Sequence, residues 1–260
     1  MTPTDDLTPI LKKLRLSGTL HTLELRTRQA IEDQLPYPEF LYRLLGDEVE
    51  RREAKQLEVR TRRAGFEALK TLEDFEFSFN PKIPKAKIID LATCQFVTRK
   101  EALLLVGPSG VGKSHLAQAF GHRACRLGYS VLYLTANKLF AELRAARADR
   151  SYDRKLLRFT NPMLLILDDV GLRPLRHEEP EDFYEIIRQR YEHGATILTS
   201  NRALEEWPAL FGDALLASAA MDRLLHHAHV IAIEGDSYRN PPPRRGGTKA
   251  SSADSARAHA

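Results

Sequence analysis

The stretch Gly107–Ala117, GPSGVGKSHLA, follows the apolar run LLLV and opens a segment with helical spacing. Its Gly107, Gly110, Gly112, Lys113 and Ser114 satisfy G-x-x-x-x-G-K-[ST]. Glycines there let the backbone turn so that successive N–H groups face one phosphate from a helix N-terminus. The lysine ammonium then reaches the β- and γ-oxygens, and the serine hydroxyl offers a ligand to Mg²⁺. The strand before and helix after that the motif requires are both present, so the chain is expected to bind a nucleoside triphosphate. Gly107, Pro108, Ser109, Gly110, Val111, Gly112, Lys113, Ser114 and His115 form the expected nucleotide-contacting set. Within it His115 reads as a packing or capping residue rather than a catalytic one.

A second motif, MLLILDDVG, places its first aspartate 55 residues after Lys113. Asp168 and Asp169 emerge at the carboxyl end of an apolar strand, where ligands bind in open α/β sheets. Asp168 is expected to hold Mg²⁺, through water, opposite Ser114. Asp169 is a candidate general base for an attacking water. The competing role for either aspartate is a helix N-cap. The third motif is ATILTSNR, in which Asn201 ends the fourth strand. The spacing suggests that this strand lies beside the second, where the amide could orient water or contact the γ-phosphate. Standing alone, an asparagine after a strand is a turn residue.

The elements that must position these groups alternate. Apolar strand segments at Ala102–Val106, Ser130–Thr135, Met163–Asp168, Ala195–Ser200 and Val230–Glu234 are separated by helical segments. That order predicts a five-stranded parallel sheet with helices on both faces. Residues 7 to about 70 instead show leucines at helical spacing, with Pro36 and Pro38 breaking the unit in two. Leu11, Leu14, Leu41, Leu44 and Leu45 are its expected core. The division is a helical domain over 1–74, the sheet domain over 75–240, and a disordered basic tail over 241–260.

Composition bounds the rest. Of 260 residues, 43% are apolar and 28% charged, which fits a soluble globular protein able to bury a sizeable core. No run approaches the ~18 apolar residues of a membrane helix, and the first residues lack a secretory pattern, so a cytoplasmic protein without membrane contact is expected. Cys94 and Cys125 have no metal or redox spacing and read as buried free thiols. The net charge of +4 is compatible with nucleic acid without proving it. Arg51–Lys70 carries seven basic and three acidic residues, and AELRAARADRSYDRKLLRF six and three. In the latter, Arg144, Arg147, Arg150, Arg154, Lys155 and Arg158 could track a duplex DNA backbone without reading sequence. Solvated helix faces are the competing account of both stretches. His226, His227 and His229 lack the carboxylate or thiol pattern of a metal site, and Trp207 reads as an anchor under a loop.

The trio of phosphate loop, paired acids and strand-end asparagine resembles the AAA+ class of ATPases. TLEDFEFSFNPKIP, LLLVGPSGVGKSHLAQAFG, GYSVLYLTANKLF, LLILDDVG and ILTSNR narrow the resemblance to the IstB family of insertion-sequence ATP-binding proteins, relatives of the DnaC helicase loader. The amino-terminal LKKLRLSGTLHTLELRTRQAIEDQLPYPEFLYRLLGDEVERRE resembles IstB rather than DnaC, so the similarity spans about residues 7 to 240. It implies an AAA+ fold with the carboxy-terminal helical lid reduced or absent. It further implies an ATP- and Mg²⁺-dependent helper of transposition, a homo-oligomer with ATP at subunit boundaries that assembles on double-stranded DNA, selects or remodels the target and stimulates a partner transposase. Residue by residue, it carries onto Gly107–Ser114 as the loop, Asp168 and Asp169 as the acidic motif, and Asn201 as the first sensor. Arg223, in AAMDRLLHH, takes the place of the arginine that reaches a neighbour's γ-phosphate; a salt bridge to Asp222 or to a carboxylate elsewhere is the alternative. Arg239 is a weaker candidate for a second sensor. Many AAA+ enzymes have Glu where this chain has Asp169, which predicts slow hydrolysis in isolation, raised by DNA and assembly. A DnaC-type helicase loader shares the same core, and a small-molecule kinase shares the loop, although paired aspartates with Asn201 favour water as the acceptor.

Overall fold

Alternation within the apolar strands settles which helices cover which face. The computed structural model describes residues 3–235, 237 and 238; Arg239 and the tail over 241–260 lie outside them. The strands are β1 (Ala102–Val106), β2 (Val131–Thr135), β3 (Leu164–Val170), β4 (Ala195–Ser200) and β5 (Ala228–Ala232). All pair in parallel in the order β2-β3-β4-β1-β5. The expectation that β4 lies beside β2 is corrected: β4 sits between β3 and β1. Parallel strands buried on both faces are apolar throughout, so their sequences carry no record of which neighbour each takes.

Leu103, Leu105, Tyr133, Leu164, Ile166 and Ile197 point to one face. It is covered by α4 (Lys85–Leu91), α5 (Gln95–Thr98) and α6 (Lys113–Arg126). Leu104, Leu132, Leu134, Leu165, Leu167 and Leu198 point to the other. There α7 (Ala136–Ala148), α8 (Tyr152–Thr160), α9 (Glu179–Arg190), α10 (Pro208–Phe211) and α11 (Ala214–His226) close the second layer. Trp207 is fully buried on that side, against Phe183. Cys94 and Cys125 are free and buried in the first layer, and burial pushes each thiol up to about 11.

The amino-terminal helices are α1 (Pro3–Lys13), α2 (Ser17–Glu32) and α3 (Tyr37–Ala64). Pro36 caps α3 and Pro38 occupies its first turn, while a second break falls where Arg15 turns left-handed at φ 56°. Of the five leucines expected to form a core here, only Leu44 is buried; Leu14, Leu41 and Leu45 are exposed and Leu11 is half-buried. Three helices without a covering layer can close only the narrow stripe between neighbours, which holds Leu23, Leu44, Thr19 and Glu48. The far end of α3 does find a layer. Ala64 is wholly buried in the α6-side core, with Leu57, Phe66, Leu72 and Phe75 packed against it, and Arg60 donates to the Cys125 carbonyl at 3.0 Å. Among the described residues, no helix is long and apolar enough to cross a membrane, and none follows β5.

Candidate functional site

The loop between β1 and α6 turns at glycines that no side chain could replace. Gly107 has φ 147°, and a Cβ there would lie 2.0 Å from the Ile233 carbonyl oxygen, because the exit from β5 crosses the loop. Ile233 N donates to Val106 O at 2.8 Å and Tyr238 N to Gly110 O at 2.9 Å, tying that exit down. Gly112, at φ 99°, caps α6. The amides of Lys113, Ser114 and His115 therefore fall in the first turn, where a helix provides no acceptors of its own. Lys113 is buried, and its Nζ donates to Pro108 O at 2.7 Å, so the ammonium lies across the loop it belongs to. His115 points away: its ring nitrogen meets Thr71 O at 2.9 Å and its edge meets Phe75. It fixes the connector to α6, as a packing residue would.

Strand parity brings Asp168 to the same place. Leu164, Ile166 and Asp168 share the α6 face of β3; Tyr133 shares it on β2, and Ile197 and Thr199 share it on β4. The Asp168 carboxylate is buried and accepts three hydroxyls. Ser114 Oγ reaches Oδ1 at 2.9 Å, Tyr133 OH reaches Oδ2 at 2.6 Å, and Thr199 Oγ1 donates to Oδ1 in a short contact. All three of these donors are neutral hydroxyls. Burial first, and then the bond to Asp168, push the Tyr133 hydroxyl well above its ordinary range, so it serves as a donor. Asp169 sits at an irregularity in the β3–β4 ladder with φ 58°, and its amide donates to Thr199 Oγ1 at 2.9 Å. Asn201 follows β4 directly, and β4 abuts the loop: Gly107 N donates to Ser200 O at 3.1 Å. Loop, paired acids and asparagine thus converge at one end of the sheet. Sequence reasoning missed Tyr133 and Thr199. Both lie on the α6 face, Tyr133 at the middle of β2 and Thr199 near the carboxyl end of β4, a signal readable only once the strand order is known.

Arg223 lies elsewhere. Its helix α11 ends at the start of β1, where Ala102 N donates to His227 O at 3.0 Å. The loop of the same chain is a strand length away, ~16 Å across five residues. Arg223 is half-buried, donates to Ala219 O at 2.9 Å and lies over the Tyr184 ring at 5.6 Å; it makes no bridge to Asp222. Of the six basic residues on α7, α8 and their link that were expected to track DNA, four are committed to carboxylates. Arg144 meets Glu179, Arg147 meets Asp182, and Lys155 and Arg158 share Glu142. Arg150 and Arg154 are exposed and, among the described residues, have no such partner. His226 bonds Tyr191 and His229 bonds Glu101, and no metal-ligating cluster occurs among the described residues.

Residues 9–245 match the family model described as IstB-like ATP binding protein. A Mycobacterium tuberculosis protein, named for an insertion sequence and for ATP binding, is 42% identical over 92% of this chain and 95% of its own length. The chain belongs to the IstB-like family. Among solved structures, DnaI is similar at a TM-score of 0.56 and 26% identity, covering 63% of this chain and 90% of that one. The DnaC helicase loader is similar at 0.50 and 23%, covering 57% and 86%. The sheet and its helices are therefore an AAA+ P-loop fold, as the residue patterns predict. In this IstB-like chain the donor set fits a small hard divalent cation. It is all oxygen and combines a hydroxyl at a helix start with a buried carboxylate.

Proposed function

We propose that the protein is an ATPase of transposition that assembles on duplex DNA, places ATP at the boundary between copies, and stimulates a partner transposase. The supporting observation is the split site. One end of the sheet carries the loop, Ser114, Asp168, Asp169 and Asn201, while Arg223 stands at the other, out of reach of its own loop. Lys113 and the first amides of α6 hold the β- and γ-phosphates. Ser114 and Asp168 would hold Mg²⁺, which when bound neutralises charge on the phosphate oxygens. Asp169 takes the proton of the attacking water and the Asn201 amide orients that water. Arg223 of the next copy stabilises the charge developing on the transferred phosphoryl, a contribution of ~10³–10⁵ in rate in other systems. The short Asp169 side chain keeps turnover slow until assembly tightens the site.

Duplex DNA is expected along α7 and α8, led by the exposed Arg150 and Arg154, with affinity that falls steeply as salt rises. The decisive experiment mixes two inactive variants, Lys113→Ala and Arg223→Ala, in the presence of duplex DNA. Sharing of the site between copies restores turnover, since the intact loop of one variant meets the intact arginine of the other. Absence of rescue, or an Arg223→Ala protein that assembles and hydrolyses ATP like the parent, removes the proposal. A replicative helicase loader is the second reading, favoured by the likeness to the DnaC helicase loader. Stimulation of DNA strand transfer by the transposase, against delivery of a helicase onto single-stranded DNA, separates the two.

A further inference from the structure

Three hydroxyls converge on the Asp168 carboxylate, but they are of two kinds. Ser114 comes from the loop, whereas Tyr133 and Thr199 come from the strands that flank β3. Tyr133 is 3% exposed, and its ring is held in the α6-side core near Phe66. Its 2.6 Å bond to Oδ2 is of the short, charge-assisted kind. Thr199 is fully buried and its bonding roles are ordered: it accepts from the Asp169 amide, so its own proton is left for Asp168 Oδ1. One threonine hydroxyl thereby ties the backbone of the second acid to the side chain of the first. Together the two strand hydroxyls fix the plane of a buried carboxylate.

We infer that Tyr133 and Thr199 are positioning residues for cation capture, holding Asp168 so that the protein binds Mg²⁺-nucleotide more tightly than nucleotide alone. This rests on the reading of Ser114 and Asp168 as the Mg²⁺ site. Removing the tyrosine hydroxyl leaves Oδ2 without its donor, removing the threonine hydroxyl leaves Oδ1 to Ser114 alone, and either change frees the carboxylate to rotate. Loop, lysine and helix start, which hold the phosphates themselves, are untouched. Loss of one charge-assisted bond corresponds to about a tenfold change in an equilibrium.

The test titrates a fluorescent ADP analogue into the full-length protein, first in EDTA and then across a MgCl₂ series. Tyr133→Phe, which keeps the ring, is expected to bind the analogue in EDTA as the parent does. Its Mg²⁺ half-saturation should rise about tenfold. Thr199→Val should shift the same way, and Thr199→Ser, which restores the hydroxyl, should return it to the parent value. A residue that merely stabilises the fold would weaken binding with and without Mg²⁺ alike. If the parent responds to Mg²⁺ and Tyr133→Phe responds at the same concentration, the positioning role is wrong while the site stands. If the parent's affinity ignores Mg²⁺, the site itself is wrong and the inference falls with it.

Discussion

Asp169 occupies a backbone conformation that explains its own identity. At φ 58° it lies in the left-handed region, which short polar side chains tolerate better than longer ones. Glutamate, usual at this place in AAA+ enzymes, would bring greater reach at the cost of that backbone preference. Asn shares the preference but cannot accept a proton, so Asp169→Asn is a clean substitution. It should leave the melting temperature and ADP affinity unchanged while lowering the proposed ATP turnover by about 10²-fold or more, the usual scale of general-base loss. Turnover within a factor of three of the parent would assign the water-activating role to another group. The motif LLILDDVG made both acids visible in the sequence; the bulge and the Thr199 bond that aim them were not, because both depend on which strand lies next to β3.

Helix α9 shows how much an element can hide. Arg190, at its last residue, is 2% exposed and, among the described residues, meets no carboxylate. It donates instead to the carbonyls of Thr160 and Pro162 at 2.9 Å, to Thr196 Oγ1 at 3.0 Å and to Ala195 O in a short contact. One guanidinium thus joins the end of α8 to the starts of β3 and β4. Desolvation lowers it to about 10, which still leaves it charged at neutral pH. Arg190→Met should cost about 3 kcal/mol or more by urea unfolding, since several buried acceptors lose their donor together. A loss below about 1 kcal/mol would mean that water or relaxation replaces them. The segment YEIIRQR carries no sign of this, because an arginine closing a helix reads as an exposed charge near the carboxyl end. The amino-terminal helices hold a titrating clamp of the ordinary kind. Arg26 grips Asp47 through two bonds, at 2.6 and 2.9 Å, and holds its carboxyl down at about 2. A depressed carboxyl stabilises the fold above its unfolded value near 4 and loses that contribution as pH falls toward 2. Helical content should therefore drop between about pH 4 and 2 in the parent, and Asp47→Asn should be less stable at neutral pH with that acid-dependent step reduced. A parent and variant with the same acid profile would exclude Asp47 as its source.

At the scale of the whole molecule, the sheet and its nucleotide end were readable because they depend on local runs and a loop motif. The relation of the amino-terminal helices to that sheet was not, because it is fixed by distant packing. The change in sequence pattern near residue 75 marks where strands begin, yet the α6-side core extends upstream of it. Ala64 is wholly buried there, and Leu57, Phe66, Leu72 and Phe75 lie against it. Gly65 turns the chain at φ 75°, so that Phe66 stacks on His122 with ring centroids 4.1 Å apart. His122 in turn meets Ala68 O, and burial lowers its pKa, which keeps the ring neutral in that packing at pH 7. The end of α3 is in this sense part of the α6-side layer, while α1, α2 and the beginning of α3 form an arm outside it. Two shortened chains separate the possibilities. One begins at residue 36 and keeps α3; the other begins at residue 75 and removes Ala64, Phe66 and Leu72 from the core. Deleting those partly and fully buried groups should cost about 3 kcal/mol, even discounted for their exposure. For a domain of this size that corresponds to a melting temperature lower by about 10 °C. The chain from residue 36 should melt near the parent and retain nucleotide binding. Equal melting of the two shortened chains would place the boundary at residue 75 and make the buried end of α3 a dispensable contact.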